Sequence, residues 1–336
     1  MKQNWWKYVT IILLVYTFFF SFYIPLKPGI QNTSTEELFK GPNNAIVVYG
    51  YNTKFIQEQP PKVFIQFEDD TKICAFTTTV LDEKKIAFDI EIPDSTPYKL
   101  AHLVIQYADN YIFSPNAFRI KGTAKGKITS TCPEHNSSDS TQVVTFPNRE
   151  ILNETIRNLM FHVPMWFVMM FLMAISLVNS IRFLNSPKPI YDVIARNAVK
   201  VGVVFALLGI ATGSLWARYT WGHWWVDDTK LNGAAITTLV YFAYLILRNS
   251  IQEEQLQQKI AAVYNIFAFV ILIVMLMILP RMHDSLHPGN GGNPAFSSYD
   301  LDNTLRMVFY PAVLGWIGLS AWILNLRIRI DKLKNN

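Results

Sequence analysis

The sequence predicts an α-helical polytopic membrane protein of six transmembrane helices, with an all-β domain of immunoglobulin-like sandwich type inserted after the first helix. Three observations carry this reading. Only 16% of the 336 residues are charged and 51% are hydrophobic, whereas soluble domains carry about 25% charged residues. Mean hydropathy is nevertheless only +0.18, which calls for a mixture of membrane spans and a water-facing part. Apolar runs near the roughly 20 residues that a helix needs to cross a bilayer bracket a stretch, residues 25–150, whose apolar residues alternate in short segments instead.

Residues 1–24 make the first span. Lys2 and Lys7 lead into the apolar, aromatic run Tyr8 to Ile24, and PLKPG follows in place of a small-residue cleavage site. This predicts an uncleaved signal anchor with its N-terminus inside. Residues 25–121 are predicted as the β domain. Ala45–Tyr51, Lys62–Phe67, Ile73–Thr78, Ile86–Ile92, His102–Tyr107 and Tyr111–Ile120 are rich in Val, Ile, Phe and Tyr, and Pro, Asn, Asp and Gly separate them. That is the pattern of short sandwich strands. The chain has two cysteines. Cys74 and Cys132 form no CxxC redox motif, and stand either as a disulfide of an oxidising compartment or as two thiols. Residues 122–153, polar and rich in Ser and Thr, read as a tether.

Residues 154–330 return to apolar composition, with spans expected near Leu159–Ile181, Asn197–Ser214, Gly233–Leu247, Ile260–Leu279 and Met307–Leu324. Residues 331–336 are a tail. Basic residues in the short connections fix the orientation. Lys2 and Lys7, the group Arg182, Lys188, Arg196 and Lys200, the pair Arg248 and Lys259, and the terminal Arg327, Arg329, Lys332 and Lys334 all fall on one side. By the positive-inside rule that side is cytoplasmic, and both termini lie there. The β domain and the loops after the third and fifth spans then face outward. The net charge of +5 is accounted for by this placement and needs no nucleic-acid partner.

One outward stretch, Gly213 to Asn232, packs Trp216, Trp221, Trp224 and Trp225 into ten residues together with Tyr219 and His223. Asp227 and Asp228 close it, and Arg218 and Lys230 flank it. Tryptophans gather at membrane interfaces as a matter of course; four in one short loop with paired Asp suit a flat, apolar ligand with charged edges. His162 lies a few residues into the second span, and His283 and His287 follow the fifth. All are on the outward side. An ionisable side chain inside a span marks a functional site by default, although a histidine at a helix end can also be satisfied by water or a backbone carbonyl. Two facing imidazoles hold the iron of a haem, and Trp supplies broad apolar faces with an N–H donor. Arg218 and Lys230 stand either as partners for the propionates or as solvated loop charges. Asp227 and Asp228, acceptors only, orient an indole N–H or a backbone turn rather than touch ligand. A metal site is the competing chemistry: His283 and His287 have i, i+4 spacing, one face of a helix, but no third ligand in a fixed pattern, and Pro288, Gly289, Gly291 and Gly292 end any helix there. The chain has no P-loop, so no ATPase is expected in it, and it has no GxSxG or HExxH motif.

Three stretches carry a family resemblance: GSLWARYTWGHWWVDD, MFHVPMW and DSLHPG. In order, spacing and side they resemble the Trp-rich WWD loop and the two flanking histidine segments of the CcmC proteins, the haem-handling membrane proteins of bacterial cytochrome c maturation. The resemblance covers residues 154–330 well and the first span loosely. It implies a non-enzymatic function: haem b held in oxidised form at the periplasmic face of the inner membrane, His162 and His287 as axial ligands, and Trp216, Trp221, Gly222, Trp224, Trp225 and Asp228 in the haem-contacting motif. It implies handover to the periplasmic haem chaperone CcmE, with an ABC module, CcmA with CcmB, releasing the loaded chaperone, all in contact with membrane lipid. Asp227 stands where the family usually has a Trp, His223 replaces a small polar residue, and the β domain is an insertion on which the resemblance is silent. Other classes remain: a membrane receptor or interaction protein working through its β domain, and a His-based metal transporter.

The charge pattern makes a topological prediction. A reporter fused after Asn336 is expected to read cytoplasmic, and one inserted near Ser138 periplasmic. A cytoplasmic signal from the Ser138 fusion would remove His162, the Trp stretch and His287 from a common face.

Overall fold

Strand-forming and helix-forming segments separate along the chain, and the computed structural model divides accordingly: Pro25–Asn153 form one unit, and Met1–Ile24 with Glu154–Asn336 form the other. The structure describes residues 4–41, 43–107, 110–122, 132, 144–149, 152–283, 285–287 and 300–334.

The β unit holds β1 (Gly29–Thr33), β2 (Glu37–Phe39), β3 (Asn43–Tyr51), β4 (Lys62–Gln66), β5 (Lys72–Cys74), β6 (Thr77–Asp82), β7 (Lys85–Glu91), β8 (Leu100–Tyr107) and β9 (Asn110–Lys121). They form two sheets, in the orders β1-β3-β7-β6 and β2-β9-β8-β4-β5. Neighbours are antiparallel except β2, which runs parallel to β9. Alternation dictates the inner faces. Ile46 and Val48 of β3 and Ile86, Phe88 and Ile90 of β7 meet Ile65, Leu103, Ile105, Ile112 and Phe118 of the other sheet in one core. Bulges at Val80/Asp82 and Ala101/Leu103 shift the register of β6 and β8.

Three expectations are revised here. Ile73–Thr78 is not one strand: β5 and β6 belong to different sheets, and Ala75 and Phe76 carry the chain between them. β1 and β2 lie in GIQNT and ELF, too short and too polar to show a period of two. Most of the expected tether lies outside the described residues. Its described end, 144–149, is anchored: Phe146 is fully buried, donates its N–H to Pro25 O at 2.9 Å and accepts from Lys27 N at 2.8 Å. Cys74 and Cys132 are joined as a disulfide, with Cα atoms 5.5 Å apart across a sequence separation of 58.

Among the described residues the other unit contains six helices long and apolar enough to cross a membrane. They are α1 (Trp5–Tyr23), α2 (Leu159–Asn185), α3 (Pro189–Trp221), α4 (Thr229–Ser250), α5 (Glu254–Ile273), which passes through a π-turn at Val274–Ile278 into α6 (Leu279–Met282), and α7 (Asn303–Lys334). A 3₁₀ turn at Asn153–Asn158 leads into α2. The helices outrun the apolar runs because nothing breaks them at the edge of the hydrocarbon. The 33 residues of α3 span about 50 Å at 1.5 Å per residue, well beyond the roughly 30 Å core. α7 likewise continues through the expected tail to Lys334.

Lipid supplies no hydrophobic drive between helices, so close packing and polar contacts must hold them together. α3 turns glycines toward α2: a Cβ at Gly202 would lie 2.7 Å from Met173 Cε, and one at Gly209 2.8 Å from Trp166 Cε2. α7 does the same toward α1, with Gly315 against Leu14 and Gly318 against Thr10. Pro311 within α7 has no N–H for the carbonyl of Met307, and Tyr16 Oη of α1 donates to that oxygen at 3.3 Å. Asn265 of α5 donates to Ser176 and Ser180 Oγ of α2 at 2.6 and 2.8 Å. At the end where α3 begins and α4 stops, Arg248 makes a bidentate pair with buried Asp192, Nη1 to Oδ1 at 2.7 Å. Asp331 of α7 accepts from Arg196 and Asn197, both at 2.7 Å.

Breaking a buried pair on one side strands its partner. Arg248→Ala should therefore cost about 3–5 kcal/mol, read as a fall in thermal unfolding temperature in detergent. The double change Asp192→Leu with Arg248→Met should recover most of the loss.

Candidate functional site

The site is built on the end of the helical unit opposite the Asp192–Arg248 pair. The Trp-rich stretch, expected as a loop over 213–232, is mostly helix. α3 continues through Trp221 because no residue between Ser214 and Trp221 breaks it, and Gly222 stops it. Gly222 adopts φ +78°, the left-handed geometry that ends helices, and Arg218 Nη1 donates to its carbonyl oxygen. The true loop is Gly222–Asp228. Trp216, Arg218, Tyr219 and Trp221 thus stand on a rigid helix, while His223, Trp224, Trp225 and Asp227 are exposed on the loop. Lys230 lies in the first turn of α4.

His162 is one turn into α2. Its Nδ1 is 3.1 Å from Gly209 O and 3.1 Å from Thr212 Oγ1 of α3. A carbonyl oxygen only accepts, so in the neutral ring Nδ1 carries the proton and Nε2 keeps its lone pair. The approach is possible because position 213 is glycine: a Cβ there would stand 2.7 Å from His162 Cε1. Trp216 and Trp166 meet the imidazole edge-on, with centroids at 5.7 and 6.5 Å. The preceding turn ties this arrangement down. Asn158 Nδ2 donates to Thr212 O at 2.9 Å, and Trp216 Nε1 donates to Thr155 Oγ1 at 3.0 Å. Arg157 Nη1 donates to Ile24 O at 2.7 Å and to Ser21 O at the end of α1.

His287 is held by different chemistry to the same result. Asp228 is the N-cap of α4, accepting from Lys230 N at 2.9 Å and Leu231 N at 3.3 Å. Its side chain is only 1% exposed. The same carboxylate accepts from Ser285 Oγ and Leu286 N, both at 2.8 Å, and from His287 Nδ1 at 3.1 Å. Burial opposes ionisation of Asp228, but the hydrogen bonds from His287, Leu286 and Ser285 outweigh it and hold the carboxyl well below the usual carboxylate range. Here too Nδ1 donates, so in the neutral ring Nε2 keeps its lone pair. Trp221 meets the His287 ring at 5.1 Å, edge to face.

The structure sets His162 against Trp216, and His287 against Trp221 and Asp228, with Gly222 stopping α3 just past Trp221. Asp228 orients a turn and an imidazole, not an indole; Asp227 accepts from Asn232 Nδ2 at 2.7 Å, and Trp225 Nε1 donates to Asn232 Oδ1 at 3.3 Å. His283 and His287 do not share a helix face, because α6 ends at Met282 and His283 is extended. Among the described residues no group of three or more His, Cys, Asp or Glu could hold a metal ion; Pro288, Gly289, Gly291 and Gly292 lie outside the described residues. Sequence reasoning missed Gly209, Thr212 and Gly213, which seat His162, and Ser285, which braces Asp228. The i, i+4 spacing of Gly209 and Gly213 was the available signal.

The family model described as CcmC, heme exporter protein C, matches residues 140–336. The match begins beyond the last strand of the β unit. A heme exporter protein C of Bradyrhizobium diazoefficiens is 29% identical over 121 residues, 36% of this chain and 46% of that one. The Escherichia coli K12 protein of that name is 24% identical over 135 residues, 38% of this chain and 51% of that one. The Rhodobacter capsulatus one is 25% identical over 181 residues, 53% and 73% respectively. The chain spans about half the length of the first of these relatives, 46%, and of the second, 51%.

Two glycines test the geometry separately. Gly213→Ala should overpack the His162 contact, cost about 1–3 kcal/mol and shift the imidazole resonances of His162 in a histidine-labelled NMR spectrum. Gly222→Ala meets nothing within 4 Å; it should cost about 1–2 kcal/mol through its left-handed backbone alone and leave those resonances in place.

Proposed function

The chain belongs to the CcmC family, heme exporter protein C, and on that premise we propose that it takes up haem b at the periplasmic face of the bacterial inner membrane and presents it for handover to the haem chaperone CcmE. The observation that carries the reading is the matched pair of Nδ1 contacts: His162 and His287 each place Nδ1 on an acceptor, which in the neutral ring leaves the Nε2 lone pair free. That is the form in which imidazole ligates iron. His162 and His287 are the proposed axial ligands. Haem is cargo here, and its iron supplies the two coordination positions.

The rest of the site suits a flat apolar ligand with a charged edge. Trp216 and Trp221 fix the walls beside the two imidazoles. Trp224, 60% exposed, and Trp225, 41% exposed, offer apolar faces at the open side. Gly222 sets the turn that brings them round. Arg218 and Lys230 are the proposed partners of the propionates; Arg218 spends one of its five N–H groups on Gly222 O. Asp228 supports the site without touching ligand. These residues bind, orient and release, and no bond of the cargo needs to be broken. An ABC module, CcmA with CcmB, is the proposed source of the work that frees the loaded chaperone, and membrane lipid surrounds the helices.

The proposed topology has both termini in the cytoplasm and the β unit and the site outside. The Cys74–Cys132 disulfide supports an oxidising compartment for the β unit. The proposed domains are the anchor 1–24, the β domain 25–121, the tether 122–153 and the membrane domain 154–330. Strand order supports the immunoglobulin-like reading. β1-β3-β7-β6 follows the A-B-E-D order, and β9-β8-β4-β5 follows G-F-C with an added edge strand. The disulfide departs from that plan, since it starts on the edge strand β5 rather than joining the two sheets across the core.

His162→Ala and His287→Ala should each convert a six-coordinate low-spin haem spectrum into one with a vacant or water-filled position and loosen haem, and added imidazole should restore much of the His162→Ala spectrum. His283→Ala and His223→Ala should leave the low-spin spectrum in place. Loss of that spectrum in His283→Ala with retention in His287→Ala would overturn the assignment.

A further inference from the structure

The two histidines reach the same tautomer by unequal means. His162 Nδ1 donates to the carbonyl of Gly209, with Thr212 Oγ1 beside it. Thr212 Oγ1 itself donates to Leu208 O at 2.8 Å, so both groups facing that nitrogen are neutral acceptors. His287 Nδ1 donates to a carboxylate whose side chain is 1% exposed. A carboxylate pulls the Nδ1 proton harder than a carbonyl, leaves more negative charge on the ring and makes Nε2 the stronger donor to a metal. Asp228 cannot drift from this role. It is pinned by the first turn of α4 through Lys230 N and Leu231 N, and by Ser285 Oγ and Leu286 N on the His287 side.

We propose that the two axial positions are unequal by construction: His287, braced by Asp228, is the retaining ligand, and His162 is the ligand that yields first when haem is passed on. The inference rests on the haem-binding reading above. Asp228 is a positioning residue in it, acting only through His287. The same asymmetry has an electronic consequence. Negative charge delivered through His287 favours the more positive, ferric iron, so Asp228 holds the bound haem toward its oxidised form.

Two substitutions in the full-length, haem-loaded protein separate this from a loss of fold. Asp228→Asn keeps one oxygen for the helix cap, since Asn caps as well as Asp, but removes the charge and the second oxygen, which accepts from Ser285 Oγ and Leu286 N. Ser285→Ala keeps the charge and takes away one donor, which leaves the carboxylate a stronger acceptor for His287; it also removes the Oγ that accepts from His287 N at 3.1 Å. Asp228→Asn should raise the haem midpoint potential and speed haem loss about 10–100-fold while the low-spin spectrum persists. Ser285→Ala should lower the potential. Mere loosening of the site would move both variants in the same direction, and that result overturns the proposal. An imidazole titration identifies the yielding ligand. If His162 is displaced, Asp228→Asn still shifts the potential of the imidazole adduct; if that shift disappears in the adduct, His287 is the ligand displaced and the proposal is wrong. Absence of a low-spin spectrum in the unsubstituted protein would instead reject the haem-binding reading itself.

Discussion

A single buried carboxylate connects most of what matters at the Trp-rich end of the helical unit. Asp228 starts α4, closes the loop that follows the helix-stopping Gly222, and holds Ser285, Leu286 and His287 against it. A charge in so enclosed a position is tolerable only when several donors converge on it, and five do. The cost of burying it is thereby converted into geometry. Two chain segments distant in sequence are fixed at one point, and Nδ1 of His287 is held on the carboxylate. Removing the donors would leave a charge that the fold cannot solvate, so the loop, the helix start and the histidine stand or fall together.

The opposite end of the unit is organised by the same principle with different partners. Arg248 and Asp192 bind α4 to α3, and Asp331 gathers Arg196 and Asn197 from α3 onto α7. Between the two polar ends the helices are joined by small residues and side-chain hydrogen bonds rather than by hydrophobic contrast, which lipid does not provide. The glycines of α3 serve both purposes. Gly202 and Gly209 let α2 approach, and Gly213, one turn further on, gives His162 the room it occupies.

The six spans were legible because a bilayer imposes a length that sequence expresses directly, and the runs needed only their ends corrected. Ends were misplaced wherever composition changed and conformation did not: α3 leaves the apolar region near Ser214 yet stays helical to Trp221, since only Gly222 can stop it. Strands with a period of two, such as β3 and β7, were visible, whereas β1 and β2 owe their conformation to neighbours in the sheet. At the site, residue types announced His162, His287 and the tryptophans. Gly209 O could not be read, because a backbone carbonyl has no residue signature. Nor could Ser285, whose importance comes from its position beside Asp228 rather than from its type.

The continuation of α3 past the apolar region changes what an arriving ligand encounters. Had Trp216 and Trp221 stood on a mobile loop, each association would require the loop to be ordered, and part of the contact energy would be lost to that ordering. On a helix their backbone is already immobilised, and each indole has only two torsions left to settle. The entropy of arranging the walls is met when the protein folds, before any ligand lands. On the proposed haem-binding reading, a platform of this kind receives and surrenders a flat molecule repeatedly without rebuilding itself between turns.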